Sequence, residues 1–311
     1  MNFQLRYQFL SGKQAVFLLF ILLSLHTSGQ ELVTNLPIVV INTSGQEIPD
    51  EPKITAEMGI IDNGPGEINH QNDPFNDYDG FVGIERRGQS TQFFYPKKSY
   101  SFETRNADGS NLDVSILGLP EENDWILYGP YGDKSMLRNM FTFWMARMMD
   151  VYASRTVFCE VVLNGEYMGV YVMMEKIKKD DERVSIAKLR PEDNSGDELT
   201  GGYIIRVDKV DEYFQWGVDG WQSYPSPPFP NAMTILYQYY YPKSDEITSI
   251  QKNYIQDYIL ETENALIDED FDDPDVGYNL FLNTGSFTEQ LLLNEISKEV
   301  DGYRYSTYFY K

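Results

Sequence analysis

The apolar and polar positions of this chain change rhythm about two thirds of the way along. Before that point they come in short blocks or strict alternation; after it they recur at helical spacing. The early blocks predict strands over residues 36–42 (L-P-I-V-V-I-N), 80–85, 98–103 and 124–128. Residues 62–79, rich in Gly, Asn, Asp and Pro, predict a long loop. Residues 154–163 and 166–174 flank Asn164-Gly165, a strong two-residue hairpin signal, and 201–207 add a further strand. One early segment breaks the rule. Over 135–149, Met136, Leu137, Met140, Phe141, Trp144, Met145, Met148 and Met149 keep helical spacing.

In the last third, Ser244-Asp-Glu is expected to cap a helix with Ile247, Ile250, Tyr254, Ile255, Tyr258 and Ile259 on one stripe. Ser286-x-x-Glu289 forms an expected capping box ahead of Leu291, Leu292, Leu293 and Ile296. No internal repeat appears. Strands first and helices afterwards predict an α+β protein with a sheet-rich N-terminal lobe and a helical C-terminal lobe.

Composition narrows the setting. Arg6 and Lys13 precede an apolar run over 15–25, and Thr27-Ser28-Gly29 supplies small residues for cleavage. Residues 1–29 therefore read as a secretory signal, too short to span a bilayer comfortably. Without them the chain carries 23 Lys+Arg against 48 Asp+Glu, a net charge of −25. Such a charge disfavours nucleic acid and anionic membrane as partners and suits a secreted or cell-envelope protein. With one cysteine, Cys159, no intramolecular disulfide can form, and Cys159 is expected to be a small buried hydrophobe.

The chemistry concentrates in three places. Arg87-Gly88 leads through polar residues and Pro96 to Lys97-Lys98 at the head of a strand. Lysines held by a sheet can meet an anion, although lysines also protect edge strands. Glu175 ends the second hairpin strand, and Asp301 follows the last helix. A lysine, an acidic partner and a loop aspartate make a set suited to phosphoryl transfer. The lysine neutralises phosphate oxygens and the aspartate orients the attacking hydroxyl. A polar group five residues on, here Ser306, can reach a metal. Alternation leaves open which of Lys97 and Lys98 faces a cleft. Asp133 and Arg138 are weaker members of the set, with helix capping the simpler role.

Six ordered segments carry a family resemblance: L-P-I-V-V-I-N-T (36–43), R-G-Q-S-T…P-K-K-S-Y-S-F-E (87–103), W-I-L-Y-G-P-Y-G-D-K-S-M-L-R-N (125–139), L-N-G-E-Y-M-G-V-Y-V-M-M-E-K (163–176), G-G-Y-I-I-R-V-D (201–208) and N-E-I-S-K-E-V-D-G-Y-R-Y-S-T-Y-F-Y-K (294–311). In these the chain resembles the CotH family of spore-coat-type atypical protein kinases. The resemblance implies a kinase-like domain over 30–311, with an N-lobe at about 36–207 and a partial C-lobe at about 208–311. It implies ATP with Mg²⁺ or Mn²⁺, and Ser or Thr of secreted or coat proteins as acceptor. Lys97 or Lys98, with Arg87, would meet the nucleotide phosphates, and Glu175 would either pair the lysine or simply cap its strand. Asp301 would be the catalytic-loop aspartate. Ser306 stands where a conventional kinase places its metal-binding Asn. One departure is clear. Family members carry a segment resembling D-x-D or D-F-x after the catalytic loop, and this sequence ends at Tyr310-Lys311 before one appears. It is therefore expected to be an incomplete copy, weak or inactive.

A second function class is a non-catalytic surface or matrix protein that holds glycan or protein. It would use the aromatic stretch 214–231, with Trp216, Trp221, Tyr224 and Phe229, which also suits a packed covering loop. Hydrolase chemistry has little support: His26 and His70 are the only histidines, and no Gly-x-Ser-x-Gly elbow exists. The acidic run over 268–275 reads as a solvated turn or a weak Ca²⁺ site.

Overall fold

The computed structural model describes residues 31–211, 213–223 and 234–311. The expected signal segment and residues 224–231 of the 214–231 aromatic stretch lie outside these residues. The first half builds a closed seven-stranded barrel from β1 (Ile38–Asn42), β2 (Ile54–Ile61), β3 (Tyr78–Arg87), β4 (Ser99–Arg105), β5 (Asp124–Tyr128), β6 (Thr156–Leu163) and β7 (Glu166–Glu175). The order around the barrel is β6-β7-β5-β4-β3-β2-β1. Every neighbouring pair is antiparallel except the closing one, where β6 runs parallel to β1 with Glu160 opposite Ile38 and Leu163 opposite Ile41.

Alternation explains the core. Val39, Ile41, Met58, Ile60, Val82, Ile84, Phe102, Trp125, Leu127, Val161 and Met173 occupy inward positions, and all are buried. Cys159 is among them. Burial pushes its thiol up to about 12, so it behaves as the expected buried hydrophobe. The Asn164-Gly165 turn takes positive φ at both residues, 51° and 81°, as a two-residue hairpin with matching twist requires. The Asn164 side chain then accepts from Thr43 N at 2.8 Å, which ties the hairpin to the end of β1.

β5 and β7 read as continuous apolar runs because both of their faces are covered. Ile126, Val172 and Met174 point outward onto Met140 and Phe143 of helix α2 (Arg138–Met148). The opposite side of α2 is different: Phe141, Trp144 and Met148 are exposed. Before it, a single helical turn, α1 (Ser90–Phe94), occupies the connection between β3 and β4. Lys97 and Lys98 therefore precede β4 instead of lying within it.

The C-terminal region departs from the expected helical lobe. A four-stranded antiparallel sheet forms there, in the order β9 (Gly220–Gln222), β10 (Leu236–Tyr241), β8 (Ile204–Val207), β11 (Thr307–Tyr310). Helix α3 (Ser249–Ile267) buries Ile255 against Ile205, Val207, Tyr237 and Tyr239 of that sheet, with Ile247 just ahead of it in the same core. Helix α4 (Thr284–Ser297) packs against α2 and stacks Phe287 on Phe309 of β11.

Both expected caps shift by a few residues. Thr248 caps α3 in a full capping box with Gln251, while Ser244 donates to Asp219. Asn283 caps α4 by accepting from Ser286 N. Among the described residues, no helix is long and apolar enough to cross a membrane.

Candidate functional site

The β3–β4 connection leans on the second sheet and makes a cleft between the two halves. Gln89 donates to Val210 O at 3.1 Å, and Lys209 Nζ donates to Ser90 Oγ at 3.3 Å. Opposite them, Ser306 sits at a positive φ of 53° and donates to Asp208 Oδ2 at 3.4 Å. Tyr305 lies between two cations, with Lys209 Nζ 4.6 Å and the Arg304 guanidinium 4.8 Å from its ring centre.

Arg87 and Arg206 act on the same wall. Burial raises the Tyr308 phenol above its ordinary range, and the two guanidiniums pull it part of the way back. Tyr240 is raised in the same way, by burial and by Tyr308 beside it. Arg206 is held by the Gln238 side chain. The cleft thus carries Lys209 and Arg304 on Tyr305, beside the Asp208–Ser306 pair, and Arg87 and Arg206 near Tyr240 and Tyr308, in a protein whose overall charge is strongly negative.

The predicted residues divide between this cleft and elsewhere. Arg87 and Ser306 line it. Asp301 stands at the head of the loop that carries Ser306. Its carbonyl accepts from Arg304 N and Tyr305 N, and its exposed carboxylate lies 3.6 Å from Arg304. Asp301 N in turn donates to Glu299, whose charge reaches Tyr128 together with that of Asp133. Asp133 accepts from Ser135 and from Arg138 N, at the first residue of α2, which is the capping role.

The two lysines separate. Lys98 Nζ donates to Gln92 O and Tyr95 O at 2.5 and 2.7 Å, so it closes the C-terminal end of α1. Lys97 turns the other way and donates to Val170 O, with its Nζ 4.3 Å above the Tyr171 ring. Space for it comes from Gly129 and Gly169. A Cβ on Gly169 would stand 3.3 Å from Lys97 Nζ, and one on Gly129 3.1 Å from Lys97 Cγ.

Glu175 meets neither lysine. It is wholly buried, and its carboxylate accepts from Arg155 N at 2.8 Å and Arg155 Nε at 2.9 Å, with Arg183 Nε at 3.9 Å. Five residues of β7 separate it from Val170, roughly 16 Å of strand. The lysine–glutamate pair expected from the sequence does not form in this structure.

Lys97 has a measurable signature. Burial lowers its pKa from the ordinary 10.5, against the pull of Glu160. The protonated amine is thus penalised in the fold relative to the open chain. That penalty is present at neutral pH and is relieved as pH rises through the depressed folded value toward 10.5. Lys97→Met is expected to melt at or above the parent temperature at pH 7, with the gap closing near pH 10. A variant that melts lower at pH 7 would show that the Val170 and Tyr171 contacts outweigh the burial cost.

A metal finds no ready set of ligands. Among the described residues no three His, Cys, Asp or Glu side chains converge. Asp208, the residue that organises the cleft, was not singled out in the sequence; it appeared only as the end of the 201–208 strand segment.

These features define a sheet-rich α+β protein with a cationic cleft between its halves. The family model described as CotH kinase protein matches residues 84–311. The match covers well over half of the chain, and the chain belongs to that family. It starts within β3, so β1 and β2 lie ahead of the matched span. No curated protein matches the sequence.

Proposed function

We propose that this chain is a secreted protein kinase of the CotH family. It binds the phosphates of ATP in the cleft between barrel and second sheet, for transfer to Ser or Thr of an extracellular, coat or surface protein. The observation that carries this reading is the pair of cations, Lys209 and Arg304, on the Tyr305 ring, one residue from the Ser306 that bonds Asp208, with the charge of Arg87 reaching Tyr308 on the same strand end. Clustered cations suit a polyphosphate, and the exposed Asp301 is free of burial to accept a hydroxyl proton. Mg²⁺ or Mn²⁺ would ordinarily share the phosphate charge. The described residues lack a convergent ligand set for it, so no step is routed through a metal.

The test is titration with a fluorescent ATP analogue. Binding is expected, and Arg87→Ala with Lys209→Ala should weaken it about 100-fold, as loss of two charge-assisted contacts implies. Unchanged affinity in that double variant would remove the phosphates from this cleft. Lys97→Ala with Lys98→Ala decides the lysines separately: a comparable loss would place them against the phosphates, and parent-like binding would remove them from the site. Incorporation of labelled phosphate into a protein acceptor is expected to be weak or undetectable. Strong incorporation that Asp301→Ala abolishes would show that the carboxylates present suffice.

A further inference from the structure

The outer wall of the barrel carries a second feature, at the end of β3 remote from Arg87. Eight residues of strand separate Asp79 from Arg87, roughly 26 Å. There, Asn42, Glu57 and Phe81 stand side by side across β1, β2 and β3, and Val40, Gly59 and Asp79 form the next row. Phe75, from the loop before β3, lays its ring on Gly59; a Cβ at that glycine would stand 2.4 Å from the ring. The outcome is a groove of about 530 Å³. Val40 and Gly59 form its floor, Phe75 and Phe81 its walls, and Glu57 and Asp79 its carboxylates. The two phenylalanines are 40% and 38% exposed.

Among the described residues, no cation pairs with either carboxylate. Glu57 receives one long hydrogen bond, from the Asn42 amide at 3.4 Å. The cations further along the wall are engaged elsewhere. Arg105, opposite Phe81, pairs with Glu103 at 2.9 Å, and Lys53 bridges Glu85 and Glu103. A neutral or apolar occupant would desolvate two carboxylates without partners, which is costly.

We propose that this groove docks an arginine side chain presented by a protein partner. A guanidinium satisfies both halves of the groove. Its flat face stacks on aromatic rings, its forked donors match carboxylates, and its stem suits the apolar floor. The proposal is independent of the kinase reading, because the groove and the cleft sit at opposite ends of β3.

The experiment is calorimetric titration of the full secreted chain with the pentapeptide Gly-Gly-Arg-Gly-Gly. The same peptide carrying citrulline, the uncharged near-isostere, is the comparison. E57Q/D79N and, separately, F81A should each weaken arginine-peptide binding by about tenfold or more, and citrulline should bind at least about tenfold more weakly. E67Q/E121Q, which removes two exposed charges elsewhere, should stay within about twofold. Equal binding of the citrulline peptide would overturn the proposal. So would an equal loss in E67Q/E121Q, which would make the effect bulk charge alone. Putrescine competing as well as the arginine peptide would also overturn it, since the site would then take any free amine. Parent-like melting temperatures in the variants separate lost binding from lost fold.

Discussion

Glu175→Ala is expected to destabilise the protein by about 3–5 kcal/mol, the usual result of removing one partner from a buried ion pair. The carboxylate is the hub of a network at the end of the barrel. Arg155 binds it through its backbone N and its guanidinium. Arg183, 5% exposed, lies between Glu175 and Glu122, and its Nη1 also donates to the carbonyls of Asp124 and Lys176 at 2.9 Å each. Lys178 closes the set on Glu122 and Asp124. Alanine would leave two guanidiniums facing one another without their carboxylate. At roughly 2–4 °C per kcal/mol, the melting temperature should fall by about 10 °C, read by calorimetry. A shift under about 2 °C would show that water replaces the carboxylate and that the network contributes little. Nucleotide affinity measured below the melting transition should match the parent, since the Glu175 carboxylate meets only Arg155 and Arg183. A selective loss of nucleotide binding in a well-folded variant would return Glu175 to the site.

Trp125→Ala should cost a similar amount, about 3–5 kcal/mol, for a second reason. Trp125 is wholly buried at the centre of the barrel and stands opposite Glu175 in register. Its Nε1 donates to Glu122 O at 3.1 Å, and the Arg183 guanidinium lies 5.1 Å from its ring. The indole therefore fills the core and also supports the ion network from beneath. Because the two residues share Arg183, their effects should not add. The double variant is expected to lose at least about 0.5 kcal/mol less than the sum of the single losses. Strict additivity in denaturant titrations would show that core and network are independent.

Most strands of the barrel were legible because alternation is a local signal, and β5 coincides with the expected 124–128; β2 (Ile54–Ile61) was not singled out. Closure was not legible. It depends on β1 meeting β6 across more than a hundred residues, and nothing local encodes that pairing. The caps of α3 and α4 were displaced because several residues able to cap stand close together. Ser244 and Thr248 compete for one end, and Asn283 and Ser286 for the other. In each case the residue that was used depends on where packing starts the helix.

The site divided in the same way. Arg87 and Ser306 were visible as types at suggestive positions, and the neighbours of each, Tyr308 for Arg87 and Asp208 for Ser306, were not. The partner of Lys98, α1, was not legible because a single turn is too short to show periodicity. The partners of Glu175, Arg155 and Arg183, were not legible because each is brought to it by the fold and not by local spacing. The second sheet was missed as an element because its edge strand, β11, is four residues long and follows the last helix.

The parallel contact of β1 with β6 has a kinetic consequence. The antiparallel neighbours β2 to β5 and the β6–β7 hairpin join segments close in sequence and can form early. The closing pair instead sets Ile38 against Glu160, and the entropy of drawing such distant segments together must be met before any closing contact forms. Closure of β1 onto β6 is therefore expected to be the late step of folding. Refolding should run through an open sheet whose two edges, β1 and β6, await one another, and in hydrogen exchange the amides bonded across the β1–β6 pair should gain protection after those of β3 and β4.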